Sequence, residues 1–257
     1  MDLAAQFEAL SELARSGGEL TFWQDFFVKF YQAFIESDRW LQYLEGVGTT
    51  LVVTAAALAL GVILGSVVAL VRVTHDQQRV GHKNPVLGFF NLICKVYSTV
   101  IRGTPMMVQL LIMGLVIFSS SRNKTLIGAL SLGINSGAYV AEIIRGGLMS
   151  LDPGQMEAGR SLGLNYFDTM RFIVIPQAFK AILPSLGNEF ITLLKDTSLI
   201  NVIGGKEVVY FAQAIITKTY QPMMPYLITA VMYLIMVLIF TWLQSKLERR
   251  LRQSDRR

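Results

Sequence analysis

The sequence predicts an all-α polytopic membrane protein of five transmembrane helices with one short helix on the cytoplasmic side. Its 257 residues are 53% hydrophobic and only 16% charged, with a mean hydropathy of +0.47, too apolar for a soluble domain of this size. The apolar residues are also bunched. No charge falls between Glu45 and Arg72 or between Lys218 and Lys246, and each gap exceeds the roughly 20 residues that span a bilayer. The two ends differ in sign: residues 1–46 hold three basic and eight acidic side chains, net −5, whereas residues 246–257 hold six basic and two acidic, net +4. Termini of opposite sign belong on opposite faces, which requires an odd number of spans.

Residues 1–46 form the segment expected outside the membrane. Asp2, Glu8, Glu12, Arg15 and Glu19 interrupt its first 20 residues, so no cleavable signal peptide is expected and the first span serves as the insertion signal. Trp23, Phe26, Phe27, Phe30, Tyr31 and Phe34 recur at helical spacing and line one face, which suits either a helix along the outer leaflet or packing on the protein's own spans. The membrane domain covers residues 47–247, with strong spans near 47–72, 125–145, 170–195 and 222–246. The stretch 86–121 would be about 54 Å long as one straight helix. Gly103-Thr104-Pro105 in its middle predicts a kink or change of direction. With 86–121 counted as one crossing there are five spans, the N-terminus outside and the basic tail 248–257 in the cytoplasm. Arg72, Arg79 and Lys83 then fall inside as the positive-inside rule asks, while Arg122 and Lys124 fall outside against it.

Between the third and fourth spans, at about 150–168, a short cytoplasmic helix is written into the sequence. Asp152 is a good N-cap, Pro153 suits the first helical position, Gln155 can close a capping box, and Gly163 ends the helix about ten residues on, far too few to span. Ala158 and Gly159 keep part of its surface small, so that another protein can approach its backbone. Glu157-Ala158-Gly159, Gly163 and Ile175-Pro176 resemble the EAA loop of ATP-binding-cassette importer permeases. Val47-Gly48-Thr49-Thr50-Leu51, Arg102-Gly103-Thr104-Pro105 with Gln109, and Leu186-Gly187-Asn188-Glu189-Phe190 through Lys195-Asp196-Thr197-Ser198-Leu199 are similar to the polar amino acid branch of that family. Together they cover roughly residues 40–247. The family pattern prefers alanine where Gly159 stands, a change that lowers helix propensity by about 1 kcal/mol.

The resemblance implies a non-hydrolytic subunit in a bacterial inner membrane that forms half of a path for a polar amino acid. It also implies two cytoplasmic ATP-binding subunits that bind ATP and magnesium, a second permease subunit, identical or related, and an extracellular solute-binding protein. Asp152, Pro153, Glu157, Ala158, Gly159 and Gly163 are the implied coupling residues. Candidates for the substrate path are Arg102, Thr104, Gln109, Glu142, Asn188, Glu189, Lys195 and Asp196, because ionisable groups within spans are costly and face cavities or partners. Arg102 suits a carboxylate, either the substrate's or that of Glu142, and Asn188 with Glu189 suits an ammonium group or the bonding of neighbouring helices. Lys95 and Lys180 read as side chains snorkelling to a surface.

Other chemistries lack their residues. There is no G-x-x-x-x-G-K-[ST] phosphate loop, the lone Cys94 has no disulfide partner in the chain, and His75 with His82 makes no metal set. Basic residues gather at span ends, so the net charge of +5 does not call for nucleic acid. The alternative function is an ion-coupled secondary transporter working alone, with Glu142 or Glu189 as its proton site.

Overall fold

The computed structural model describes residues 3–78, 84–152 and 154–254, with side chains described to Leu251. Arg79, His82, Lys83 and Pro153 lie outside the described residues. Helices α1 (Leu3–Arg15) and α2 (Phe22–Phe30) precede α3 (Arg39–Asp76); α4 (Pro85–Gly103), α5 (Met106–Leu111) and α6 (Lys124–Met149) follow. The second half holds α7 (Gly154–Ser161), α8 (Tyr166–Thr169), α9 (Ile175–Asp196), α10 (Val208–Thr219) and α11 (Met223–Ser254). No strand occurs among the described residues. Four helical stretches are long and apolar enough to cross a membrane: 22–76, 85–103, 124–149 and 223–251. A fifth crossing results if 166–203 and 208–219, bent by 47°, count as one.

At the expected break, Thr104 and Pro105 are both extended, so α4 and α5 are separate helices rather than two arms of a kinked one. Such a break strands carbonyls that the helix would otherwise satisfy. Gln109 collects them: its Nε2 donates to Ile101 O at 2.7 Å and to Thr104 O at 3.1 Å, and its Oε1 accepts from Asn135 on α6 at 3.0 Å. The π-helical turn 112–117 that continues α5 is closed by Lys124, whose ammonium donates to the carbonyls of Gly114, Phe118 and Ser119 at 2.7–3.1 Å. Lys124 thus has a structural role in closing this turn, whichever face of the membrane the turn lies on.

The core is the long contact of α3 with α6, made close by small residues. A Cβ added at Gly61 would stand 2.8 Å from Ser136 Oγ, and one at Gly65 would stand 2.8 Å from the Val140 side chain. Val53, Ala57, Leu110, Leu132, Leu193 and Ile200 bury themselves around that contact. A second cluster joins Tyr43 of α3 to Leu194, Val208, Ile215 and Met236. The N-terminal aromatic face is divided. Phe34 packs on Tyr43 with ring centroids 6.0 Å apart, whereas Phe22 and Trp23 stay more than 70% exposed. Between these two parts and α3 the chain turns at Ser37 and Asp38, both left-handed.

Candidate functional site

Seven residues apart on α9, Glu189 and Asp196 lie on one helical face and look into a cleft of about 320 Å³. Thr104 and Met106 reach it from the α4–α5 break, and Asn135 and Tyr139 from α6. Ser136 Oγ donates to Glu189 Oε1 at 2.7 Å, which fixes one carboxylate oxygen. The lining includes two carboxylates and no basic side chain. Arg102 stands beside it, its guanidinium carbon 5.4 Å from the centre of the Tyr139 ring, a cation–π contact that guides the side chain toward Glu142.

Glu142 is shared among three arginines. Arg72 on α3 donates to its Oε1, Arg145 Nε reaches Oε2 at 3.1 Å, and Arg102 comes within 3.6 Å of Oε1. One acid thus ties α3, α4 and α6 together and leaves two positive charges in excess. Arg102 is the loosest and most exposed of the three, with 43% of its side chain open, so it is the one available to a second carboxylate.

The structure divides the remaining path candidates. Asn188 does not join Glu189: successive helical residues point about 100° apart, and its Oδ1 accepts from Gln244 of α11 at 2.9 Å. Lys195 is exposed and outside the cleft lining. Gln109 braces the break and borders an apolar groove of about 270 Å³ instead. Sequence reasoning missed Asn135, Tyr139 and Thr192 in the cleft, since polar residues on otherwise apolar helices carry no local mark of the cavity they face. It also passed over Glu207, a fully buried N-cap of α10, which accepts from the backbone of Val209 and Tyr210 at 2.8 Å and from Tyr233 Oη at 2.9 Å. A Glu at the start of an apolar run was its only signal.

At the other end of the bundle, α7 begins where Asp152 Oδ1 accepts from Gly154 N at 2.8 Å. It ends in a Schellman turn, with Leu164 N donating to Gly159 O, Gly163 N donating to Arg160 O, and Gly163 at φ +83°. Gln155 is engaged elsewhere than the expected capping box, accepting from Gln177 of α9 at 3.0 Å. Glu157, Ala158 and Gly163 are exposed. Gly159 is not part of that outer surface. It faces inward, buried against Thr169 and Ile173, because i to i+1 on a helix turns one small residue out and the next one in. Leu162 and Phe167, 78% and 82% exposed, add apolar area just after α7.

Residues 86–253 match the family described as binding-protein-dependent transport system inner membrane component. The chain belongs to this family. A putative glutamine transport system permease protein of Rickettsia typhi is 34% identical to this permease over 229 residues, 88% of this chain and 97% of its own. The arginine transport system permease protein of Bacillus subtilis is 35% identical over 215 residues, 82% and 93% of the two chains. A solved structure described as an amino acid ABC transporter with histidines has a TM-score of 0.72 at 41% identity, covering 81% of this permease and 94% of that chain. The MetNI methionine ABC transporter in an inward-facing conformation has a TM-score of 0.70 at 17% identity over 84% and 99%, a likeness of fold alone. This permease is therefore a multi-pass inner membrane subunit of an ATP-driven importer, with ATPase and substrate-binding partners. Nothing in these likenesses points to an ion-coupled carrier.

Proposed function

We propose that this permease moves a polar amino acid, preferring those with a cationic side chain, through the cleft at Glu189 and Asp196. The observation that carries the reading is the pair of carboxylates on one face of α9 in a lining without a basic group. A cationic side chain or an ammonium group neutralises that pair, while Arg102 at the edge takes the carboxylate, so the two ends of the amino acid meet opposite charges. The arginine relative is in keeping with a cationic side chain, and the glutamine relative with a polar amino acid of either kind. Two such permease chains, two ATPase subunits and an extracellular binding protein complete the importer, with α7 docked in an ATPase cleft through Glu157, Ala158, Leu162 and Gly163. The −5 segment lies outside and the +4 tail in the cytoplasm. ATP and magnesium belong to the partner subunits.

The test is uptake by the complex reconstituted in vesicles, with labelled arginine competed by lysine, histidine, glutamine and glutamate. Cationic competitors should win in the wild type, and Glu189→Gln with Asp196→Asn should erase that order while the complex still assembles. A wild type that prefers glutamate would overturn the reading.

A further inference from the structure

Helices α1 and α2 make a hairpin. Gly17 at φ +82° lies in the turn between them, and across it the rings of Phe7 and Tyr31 stack with centroids 4.4 Å apart. One end of the hairpin is held by the rest of the protein: Phe34 packs on Tyr43 of α3, and Val28 and Ala33 are buried. The other end is open. Phe22, Trp23 and Phe26 gather at the start of α2 with ring centroids 5.3–6.5 Å apart, and the first two are among the most exposed apolar side chains of the molecule. Such a cluster is unfavourable in water and calls for an apolar cover.

The level at which α2 leaves the bundle names that cover. The charge-free run of α3 begins just after Glu45, and Tyr43, on which Phe34 packs, is two residues or about 3 Å farther out. Residue 22 precedes Phe34 by twelve positions, so the open rings lie within about 18 Å of the point where α3 meets the bilayer surface. The exposed apolar stripe of α3 also reaches that point: from Val52 it continues past Gly48 to Leu44 and Leu41, with exposed Trp40 at its end. The lipid-facing surface of the span is therefore continuous with the surroundings of the hairpin. Charge is sorted in the same sense. On α2, Asp25 and Lys29 pair with each other, which leaves the aromatic end without net charge, whereas Glu8 and Glu12 stand exposed one turn apart on α1. Rings at headgroup depth, a neutral stem and acids on the companion helix are what a helix lying in a membrane interface requires.

We propose that the start of α2 rests in the headgroup layer of the leaflet nearest Glu45, with Phe22, Trp23 and Phe26 among the lipids and Glu8 and Glu12 of α1 toward water. The hairpin is then held at two points, Tyr43 and the lipid surface, and the left-handed residues Ser37 and Asp38 set its angle to α3.

The test uses the full complex in native membranes and a photoreactive residue at three positions, compared one at a time: Trp23→benzoylphenylalanine at the rings, Glu12→benzoylphenylalanine on α1, and Leu238→benzoylphenylalanine on the exposed face of the α11 span. After irradiation and digestion, the peptide carrying residue 23 should hold a phospholipid adduct, as the peptide carrying residue 238 does, and the peptide carrying residue 12 should hold none. A lipid adduct at 238 with none at 23 overturns the proposal. So does a protein adduct at 23, to the binding protein or to a second permease copy, in place of lipid. Equal lipid labelling at 12 and 23 overturns it as well, since the hairpin would then have no side turned to water.

Discussion

Replacing Gly159 with alanine places a methyl group where the chain already has one. The new Cβ would stand 2.5 Å from Thr169 Cγ2, 2.9 Å from its Oγ1 and 3.2 Å from Ile173 Cδ1. Thr169 cannot turn its methyl away freely, because its hydroxyl donates to Asn165 O at 2.9 Å. Overpacking of this kind costs about 1–3 kcal/mol, while the change from glycine to alanine returns about 1 kcal/mol of helix propensity. The net expectation is a loss of about 0–2 kcal/mol in the seating of α7. Thr169→Ser removes the offending methyl and keeps the hydroxyl, so Gly159→Ala with Thr169→Ser conserves volume. The two changes should couple favourably by about 0.5–2 kcal/mol. Thermal denaturation of the purified complex reads the coupling, and ATP-driven uptake in vesicles reads its consequence: reduced in Gly159→Ala, repaired in the double variant. The absence of favourable coupling between the two changes, or a double variant worse than either single one, would refute the packing argument.

Cysteine labelling of intact cells should reach residues 1–46 from outside and residues 246–251 only after the membrane is opened; both ends reacting from one side would refute five crossings. Glu189→Gln should weaken handling of a cationic substrate about tenfold or more, the loss of one charge-assisted contact worth about 1.5–3 kcal/mol, read as the concentration dependence of uptake. Glu142→Gln leaves three arginines without their acid and should lower the melting temperature of the complex. The cost is about 2–3 kcal/mol, below that of a fully buried pair because about a fifth of the Glu142 side chain reaches solvent. Gln109→Leu should cost about 1–3 kcal/mol by leaving the Ile101 and Thr104 carbonyls without their donor. The same stability measurement checks it.

The parts of this protein legible in its sequence are those with local causes. Charge-free runs mark spans because the bilayer excludes charge, and Asp152 and Gly163 mark the two ends of α7 because capping is settled within a few residues. The Gly-Thr-Pro break is equally local. What escaped depends on residues meeting across the bundle. Gln109 reads as a polar residue lining a path until the carbonyls it collects and its bond to Asn135 are known. Asn188 beside Glu189 reads as one site until the helix turns them toward different neighbours. Gly159 differs from the alanine of the family pattern, and the reason lies ten residues on, in Thr169, which occupies the volume that alanine would fill.

Lys124 has a consequence for how this membrane domain is built. Its ammonium is bonded to three carbonyl oxygens of the preceding turn, so a charge at the start of α6 takes up backbone acceptors that the end of a helical turn leaves over. The same cation thus fastens the end of the 112–117 turn to the first residue of α6, a join made by one side chain. Replacing Lys124 by methionine would remove the cation and unfasten the turn, so the variant should hold the link between α5 and α6 loosely.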